Sequence, residues 1–271
     1  MKDEVMNLPS RNDLPVLSFR NARTERTDRR FAEEMPVAFE YNGFGYAVMM
    51  ATPRALADFA LGFSLSEGLI ETADELQACT EAEVDGGRIL RLSIPEERMA
   101  PLRERVRLRL TEGSCGLCGL QSIEKVLRPL PRLIAKPQIN ADGLEAALGS
   151  LSAHQPLGRA TGAMHAAAFC AADGRIVAAR EDVGRHNALD KLVGHLAHQK
   201  IDPASGFILL SARCSYELVD KTVRAGCPAL ATISAPSDLA VTRAREAGLT
   251  LLALARSDSA LIASDPHGLF S

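Results

Sequence analysis

The chain has 271 residues, 46% of them hydrophobic and 24% charged, with a formal net charge of -3. That length buries a real core in one large or two modest domains, and the composition is that of a soluble globular protein. The weakly acidic balance excludes a global drive toward nucleic acid, and the lack of tryptophan with only 4% aromatics argues against a base-stacking platform. No apolar segment follows the polar start around Lys2, Asp3 and Glu4, and no run approaches the roughly 18 apolar residues of a membrane span. The sequence therefore predicts a cytoplasmic protein with reduced cysteines, no secretory signal and no membrane contact.

Residues 1–30, rich in Arg, Asp, Asn and Thr, read as a flexible leader. The apolar stretch Met35–Met50, broken by Asn42-Gly43, predicts a hairpin. Thr52-Pro53 reads as a helix start, with Leu56, Phe59, Ala60 and Phe63 at helical spacing and Gly68 as the stop. Strands are expected over 81–110, where Arg105–Leu110 alternates strictly between arginine and apolar residues. That arginine stripe, counted from Arg103, reads either as a docking face for an acidic partner or pyrophosphate or as an edge protected by charge. A glycine-rich loop at 111–119 follows, then helical spacing at Leu120, Ile123, Val126 and Leu127, then the linker prolines Pro129, Pro131 and Pro137.

Beyond the linker, a short helix is expected at 141–151 and a hairpin over 163–179 turning at Asp173-Gly174. Helices near 185–199, 215–226 and 238–248 then alternate with strands at 206–211, 229–234 and 249–254, and a last strand falls near 259–263. This alternation predicts a layered α/β unit with a mostly parallel sheet. The fold class is α+β. A smaller N-terminal portion (31–135) carries the cysteine loop, and an α/β domain (136–271) follows.

Six cysteines are present, and only Cys115 and Cys118 form a CxxC. They follow an arginine-rich stretch and precede a predicted helix, where a helix dipole and nearby cations favour the thiolate. Gly113, Gly116 and Gly119 clear side chains from around the sulfurs, giving a bulky partner access. A reactive cysteine there can carry a persulfide. Competing readings are half of a zinc site, for which a second ligand pair is missing, a thioredoxin-like dithiol, and an inert loop.

Two further clusters sit between strand ends and helix starts. Glu181, Asp182, Arg185, His186, Asn187, Asp190 and Lys191 read either as a solvated helix start or as a ligand pocket. In the pocket reading Arg185 and Lys191 meet phosphate and Asn187 reads a purine or pterin edge. Ser211, Arg213 and Ser215 suit an anion at a helix N-terminus or plain capping by Ser215, while Lys221 reads as a solvated surface charge.

The loop Glu112–Gly119 resembles the signature of the FdhD/NarQ family, the formate dehydrogenase accessory sulfurtransferases. The blocks Thr161–Ala168, Glu181–Lys191, Ser211–Lys221, Ala225–Pro228, Ser234–Ala240 and Gly248–Leu251 agree with it in order over about residues 35–265. The resemblance implies that a cysteine desulfurase loads a persulfide on Cys115, that Cys118 resolves or relays it, and that sulfur passes to molybdenum bis(molybdopterin guanine dinucleotide) bound for formate dehydrogenase. It implies a homodimer and no tightly bound metal. It also implies that Leu254, Ala255, Arg256, Ser257, Asp258 and Ser259 bind that cofactor, and His165, Arg185, His186, Asn187, Ser211, Arg213 and Ser215, in blocks the resemblance covers, are candidates to join them. Arg256 keeps the family pattern, whereas Leu254 replaces its aromatic and Ser259 its last basic residue. The family fold is similar to cytidine deaminase, but His165-Ala166-Ala167 lacks the glutamate of the deaminase H-x-E, which argues against deamination. A second reading from the same resemblance is a cofactor-binding chaperone that transfers no sulfur.

Overall fold

The computed structural model describes residues 8–19, 23–111 and 128–270, with only the backbone described for 107–111. The cysteine pair Cys115 and Cys118 and the helix expected from Leu120 onward lie outside the described residues. Within the segment that reads as a leader, β1 (Arg11–Ser18) and β2 (Arg23–Arg30) form an antiparallel ribbon. Diagonal ion pairs support it: Arg26 meets Asp13 at 2.6 Å and Arg11 meets Asp28 at 3.3 Å. Exposed cross-strand pairs contribute only about 0.2–1 kcal/mol each, and no apolar alternation announces such a ribbon.

Asn42 and Gly43 both take positive φ, 47° and 80°, which suits the two-residue turn joining β3 (Met35–Tyr41) to β4 (Phe44–Ala51). With β5 (Ala78–Val84) and β6 (Gly87–Ser93) they make a sheet ordered β4-β3-β6-β5, in which only β3 and β6 run parallel. Val37, Phe39, Tyr41, Leu90 and Leu92 point to one face, which α1 (Leu56–Ser66) covers with Phe59 and Phe63. The Phe39 ring lies 5.0 Å from Phe59 and 4.3 Å from Phe63.

Two sequence expectations fail in this half. The first helix begins at Leu56, after Ala55 in the left-handed region, and Thr52 is not its cap. The strand expected at Arg105–Leu110 is the end of α2 (Glu96–Thr111). Met99 and Leu102, three apart and both 0% exposed, seat one face of α2 on the core, and Glu96 and Glu97 favour its N-terminus. Tertiary burial of that face outweighs the local period of two.

From α3 (Ala141–Leu151) onward the elements fall where expected, except for the short helix Pro156–Thr161, which no sequence expectation covers. They are α4 (Pro156–Thr161), β7 (His165–Cys170), β8 (Ile176–Asp182), α5 (Arg185–His198), β9 (Phe207–Leu210), α6 (Tyr216–Arg224), β10 (Ala229–Thr232), α7 (Asp238–Ala247), β11 (Thr250–Ala253) and β12 (Leu261–Ser264). The strands form one sheet ordered β12-β11-β10-β9-β7-β8. It is mixed rather than mostly parallel. Only β9–β10 and β10–β11 pair parallel, because β7 and β8 form a hairpin that joins β9 antiparallel and β12 folds back on β11. Alternate residues of β9 feed opposite cores: Ile208 and Leu210 meet α5, α6 and α7, while Phe207 and Leu209 meet α3.

The α1 helix is sandwiched between the N-terminal sheet and α5. A Cβ on Gly62 would stand 1.7 Å from the Asp190 carbonyl oxygen, and one on Gly194 would stand 1.8 Å from that of Asp58. Two glycines thus bring the helix backbones together, and no larger residue fits either position. Among the described residues no helix is long and apolar enough to cross a membrane.

Candidate functional site

Parallel β9, β10 and β11 end on one edge of the larger sheet. Because β7 runs against β9 and β8 against β7, the start of β7 and the end of β8 reach the same edge. His165, Asp182–His186, Ser211–Ser215, Ile233–Ser237 and Leu254–Ser259 therefore share the rim where α/β sheets place their ligands. Backbone bonds lace these loops together. Cys214 N–H donates to Ala235 O at 3.1 Å, Ser237 N–H to Cys214 O at 2.9 Å, and Leu254 N–H to Ser234 O at 3.2 Å. The Ser211 hydroxyl accepts the Ala166 N–H at 2.8 Å, fixing the end of β9 to β7.

On the α5–α6 side of the rim, His165, Arg185, His186 and Arg213 gather as a cationic cluster. Burial first, then the charge of Arg185, with smaller contributions from His186 and Arg213, holds the His165 imidazole below its usual pKa; Asp182 opposes them. The imidazole is thus neutral at neutral pH beside fixed cations. His186 Nε2 lies 2.9 Å from Glu217 Oε2 and 3.3 Å from Ser215 Oγ. The hydrogen bond from His186 lowers the Glu217 pKa. Ser215 precedes α6 without a side-chain capping bond, so the plain capping reading is not realised. Arg185 Nε is buried and has no hydrogen-bond partner among the described residues. An unpartnered guanidinium nitrogen among cations is an unmet demand for an anion.

The rest of the Glu181–Lys191 block faces inward. Asp182 is fully buried and accepts four donors: Lys191 Nζ at 2.5 Å, Thr52 N–H at 3.0 Å, Gly184 N–H at 2.8 Å and Asn187 Nδ2 at 3.0 Å. Lys191 also donates to Thr52 O at 2.8 Å, and Asn187 to Met50 O at 2.9 Å. Lys191, 0% exposed, cannot meet a phosphate, and the Asn187 amide nitrogen already has two protein acceptors. Glu181 accepts the N–H groups of Leu157 and Gly158 at the start of α4. Lys221 is also not a solvated surface charge: it is buried against both Asp190 oxygens, at 2.9 and 3.0 Å, and Glu67 at 3.2 Å. Thr52, the hinge of the Asp182 network, reads locally as a helix cap and shows nothing of this role, because its partners lie 130 and 139 residues away.

On the α3 side of the rim lies a cleft of about 650 Å³, within the range of small-molecule sites. Ala255, Arg256 and Ser257 form one wall with Ile233, and Asp142, Glu145, Ala146, Leu148 and Gly149 of α3 form the other. Leu254 enters the turn at φ 50°, a conformation uncommon for a residue with a branched side chain, and Arg256 N–H closes the turn onto Ser259 O at 2.8 Å. Arg256 Nη1 reaches back to Ile233 O and Ala255 O. Asp258 accepts from the Ser259 hydroxyl at 3.1 Å. The expected residues thus divide between two places on one rim, and neither His165, Arg185 nor Arg213 lines the cleft. The sequence predicts the α3 helix but gives no sign that it forms a wall of this cleft.

The described cysteines are poor nucleophiles. Burial pushes the thiols of Cys170, Cys214 and Cys227 up to about 12, and burial with Glu81 nearby also raises Cys79.

A protein assigned as a formate dehydrogenase accessory protein from Desulfotalea psychrophila has a crystal structure similar to this chain, with a TM-score of 0.74 at 23% identity, covering 96% of this chain and 98% of that one. The "Sulfur carrier protein FdhD" of Xanthomonas euvesicatoria is 48% identical over 94% of this chain and 90% of its own length. Its namesake from Variovorax paradoxus is 44% identical over 94% and 92%. The model of the FdhD/NarQ family matches residues 32–269, the four- and six-stranded sheets and the rim included. With that span and relatives nearly half identical along almost the whole length, the chain belongs to the FdhD/NarQ family.

Proposed function

We propose that the chain is a sulfur carrier, a sulfurtransferase that takes sulfane sulfur from a cysteine desulfurase on Cys115 and delivers it to molybdenum bis(molybdopterin guanine dinucleotide) destined for formate dehydrogenase. In loading, the Cys115 thiolate attacks the outer sulfur of the donor persulfide; a new S–S bond forms and the donor cysteine leaves as a thiolate. In delivery, the Cys118 thiolate attacks Cys115 Sγ. The Cys115–Cys118 disulfide forms, the outer sulfur leaves as hydrosulfide for the metal, and a dithiol reductant resets the pair. The cofactor is cargo in this scheme, held at its nucleotide ends.

One observation carries the reading: a cleft of small-molecule size and an anion-hungry cationic cluster share one rim, in a chain whose described cysteines are all held as thiols. Sulfur carriage then falls to the glycine-flanked Cys115 and Cys118. The relatives' name, sulfur carrier protein, supports the same reading. Arg185, Arg213 and His165 suit the pyrophosphates, and the cleft bounded by Arg256 suits a nucleotide end.

Intact-protein mass spectrometry after incubation with a cysteine desulfurase and cysteine tests it. Wild type should gain sulfur that reductant removes, and Cys115→Ala should not. Unmodified wild type with a competent donor would sink the carrier mechanism.

A further inference from the structure

Between the rim and the root of the cysteine loop runs a second buried ionic cluster. Lys221 of α6 donates to both oxygens of Asp190 on α5 and to Glu67 Oε1 at the end of α1, and sits 5.6 Å from the Phe63 ring. Burial opposes the Lys221 charge, but Asp190 and Glu67 outweigh it and raise its pKa. Glu67 has a second role: its carbonyl accepts Arg105 Nη1 of α2 at 2.9 Å. At the other end of α2, Arg98 meets Glu71 and Glu75, each at 2.7 Å. Two anchors about two helical turns apart fix the axis of α2. That helix ends at Thr111, next in sequence to the Glu112–Gly119 stretch with both cysteines.

We propose that Glu67 is a positioning residue for sulfur delivery, registering the root of the cysteine loop against the rim. Its carboxylate grips α6, which starts just after Arg213–Ser215, while its carbonyl grips α2. Through Lys221 and Asp190 it is tied also to α5, whose first turn carries Arg185 and His186. A delivery step needs the sulfur and its acceptor aligned within about 1 Å. Loading needs only that an external donor reach the loop. Loss of the Glu67 carboxylate therefore separates the two steps. Lys221 keeps Asp190 as its counter-ion, so the buried charge stays compensated and the fold survives.

The inference rests on the sulfur-carrier reading. Its test uses the full-length chain as wild type, Glu67→Gln and Glu67→Asp. Persulfide loading by a cysteine desulfurase is followed by mass spectrometry. Delivery from preloaded protein to the molybdenum cofactor is followed as activation of formate dehydrogenase in a single turnover without added dithiol. Expected for Glu67→Gln are loading within about twofold of wild type and delivery slower by on the order of tenfold, partly restored in Glu67→Asp. Unchanged delivery, or loading and delivery reduced by the same factor, overturns the role of Glu67 alone. A wild type that takes up no sulfur overturns the sulfur-carrier reading and this role with it.

Discussion

Lys191→Met offers the sharpest test of the inward half of the site. The native ammonium, 0% exposed, compensates the equally buried Asp182 carboxylate at 2.5 Å and lies 5.5 Å from the Phe59 ring. Methionine matches the aliphatic stem, so packing against Phe59 is largely kept and the charge is what is lost. Breaking a buried pair from one side costs about 3–5 kcal/mol, because the remaining ion is stranded. Here Asp182 retains three donors, from Thr52, Gly184 and Asn187, which places the cost near the lower bound, about 3 kcal/mol. That is a large share of a typical stability of about 5–15 kcal/mol. The chain has no tryptophan, so urea unfolding is best followed by far-UV circular dichroism. Adding Asp182→Asn to Lys191→Met should recover at least about 1 kcal/mol, since the stranded charge disappears. A loss under about 1 kcal/mol in Lys191→Met with an unchanged urea slope would refute the reasoning, as would a double variant whose deficit is the plain sum of the singles.

Gly62→Ala should destabilise by about 3 kcal/mol in the same assay, because its Cβ has nowhere to go but into the Asp190 carbonyl. Gly149→Ala, on α3 with open space around its Cβ, should instead stabilise by about 0.5–1 kcal/mol while narrowing the cleft and weakening guanosine diphosphate binding by calorimetry. His165, whose pKa is held down in the free protein, should be recharged by a bound anion. Binding then takes up a proton, so sulfate affinity should rise as pH falls from 7 toward 5.5, and that slope should be shallower in His165→Gln. Arg256→Gln should lower guanosine diphosphate affinity by on the order of tenfold with little change in unfolding.

Much of the architecture was legible where local rules and tertiary burial agree. Strands β9, β10 and β11 are short apolar runs, each fully buried, and Ser237 caps α7 by accepting Ala240 N–H at 3.2 Å, with Gly248 in the left-handed region at its end. Legibility failed where a charge is spent far away in sequence. Lys221 reads as a surface lysine because Glu67, 154 residues earlier, is invisible to any local pattern. The same holds for the backbone ladder of β1 and β2, which no apolar alternation announces, and for α2, whose arginine alternation imitates a strand. Arg185, His186 and Arg213 stand out in the sequence because they lie between strand ends and helix starts, His165 enters only through the family resemblance, and the structure places all four on the rim. Asp142 and Glu145 were missed because α3 reaches the rim only through packing.

The density of polar residues in Glu181–Lys191 follows from helix geometry rather than from ligand contact alone. Asn187, Asp190 and Lys191 stand at i, i+3 and i+4 on α5, one face, and that face meets α1 across the glycine crossing. Arg185 and His186 precede that face in the first turn and point to the rim. A single helix start thus supplies both the cations of the rim and the buried ions that hold the N-terminal half in register with them. Substitutions in the block should accordingly separate by face. Changes at 185 and 186 should alter anion binding and spare unfolding. Changes at 190 and 191 should lower stability, and those at 191, whose partner Asp182 orients the Val183–Gly184 turn ahead of Arg185, should weaken anion binding as a consequence.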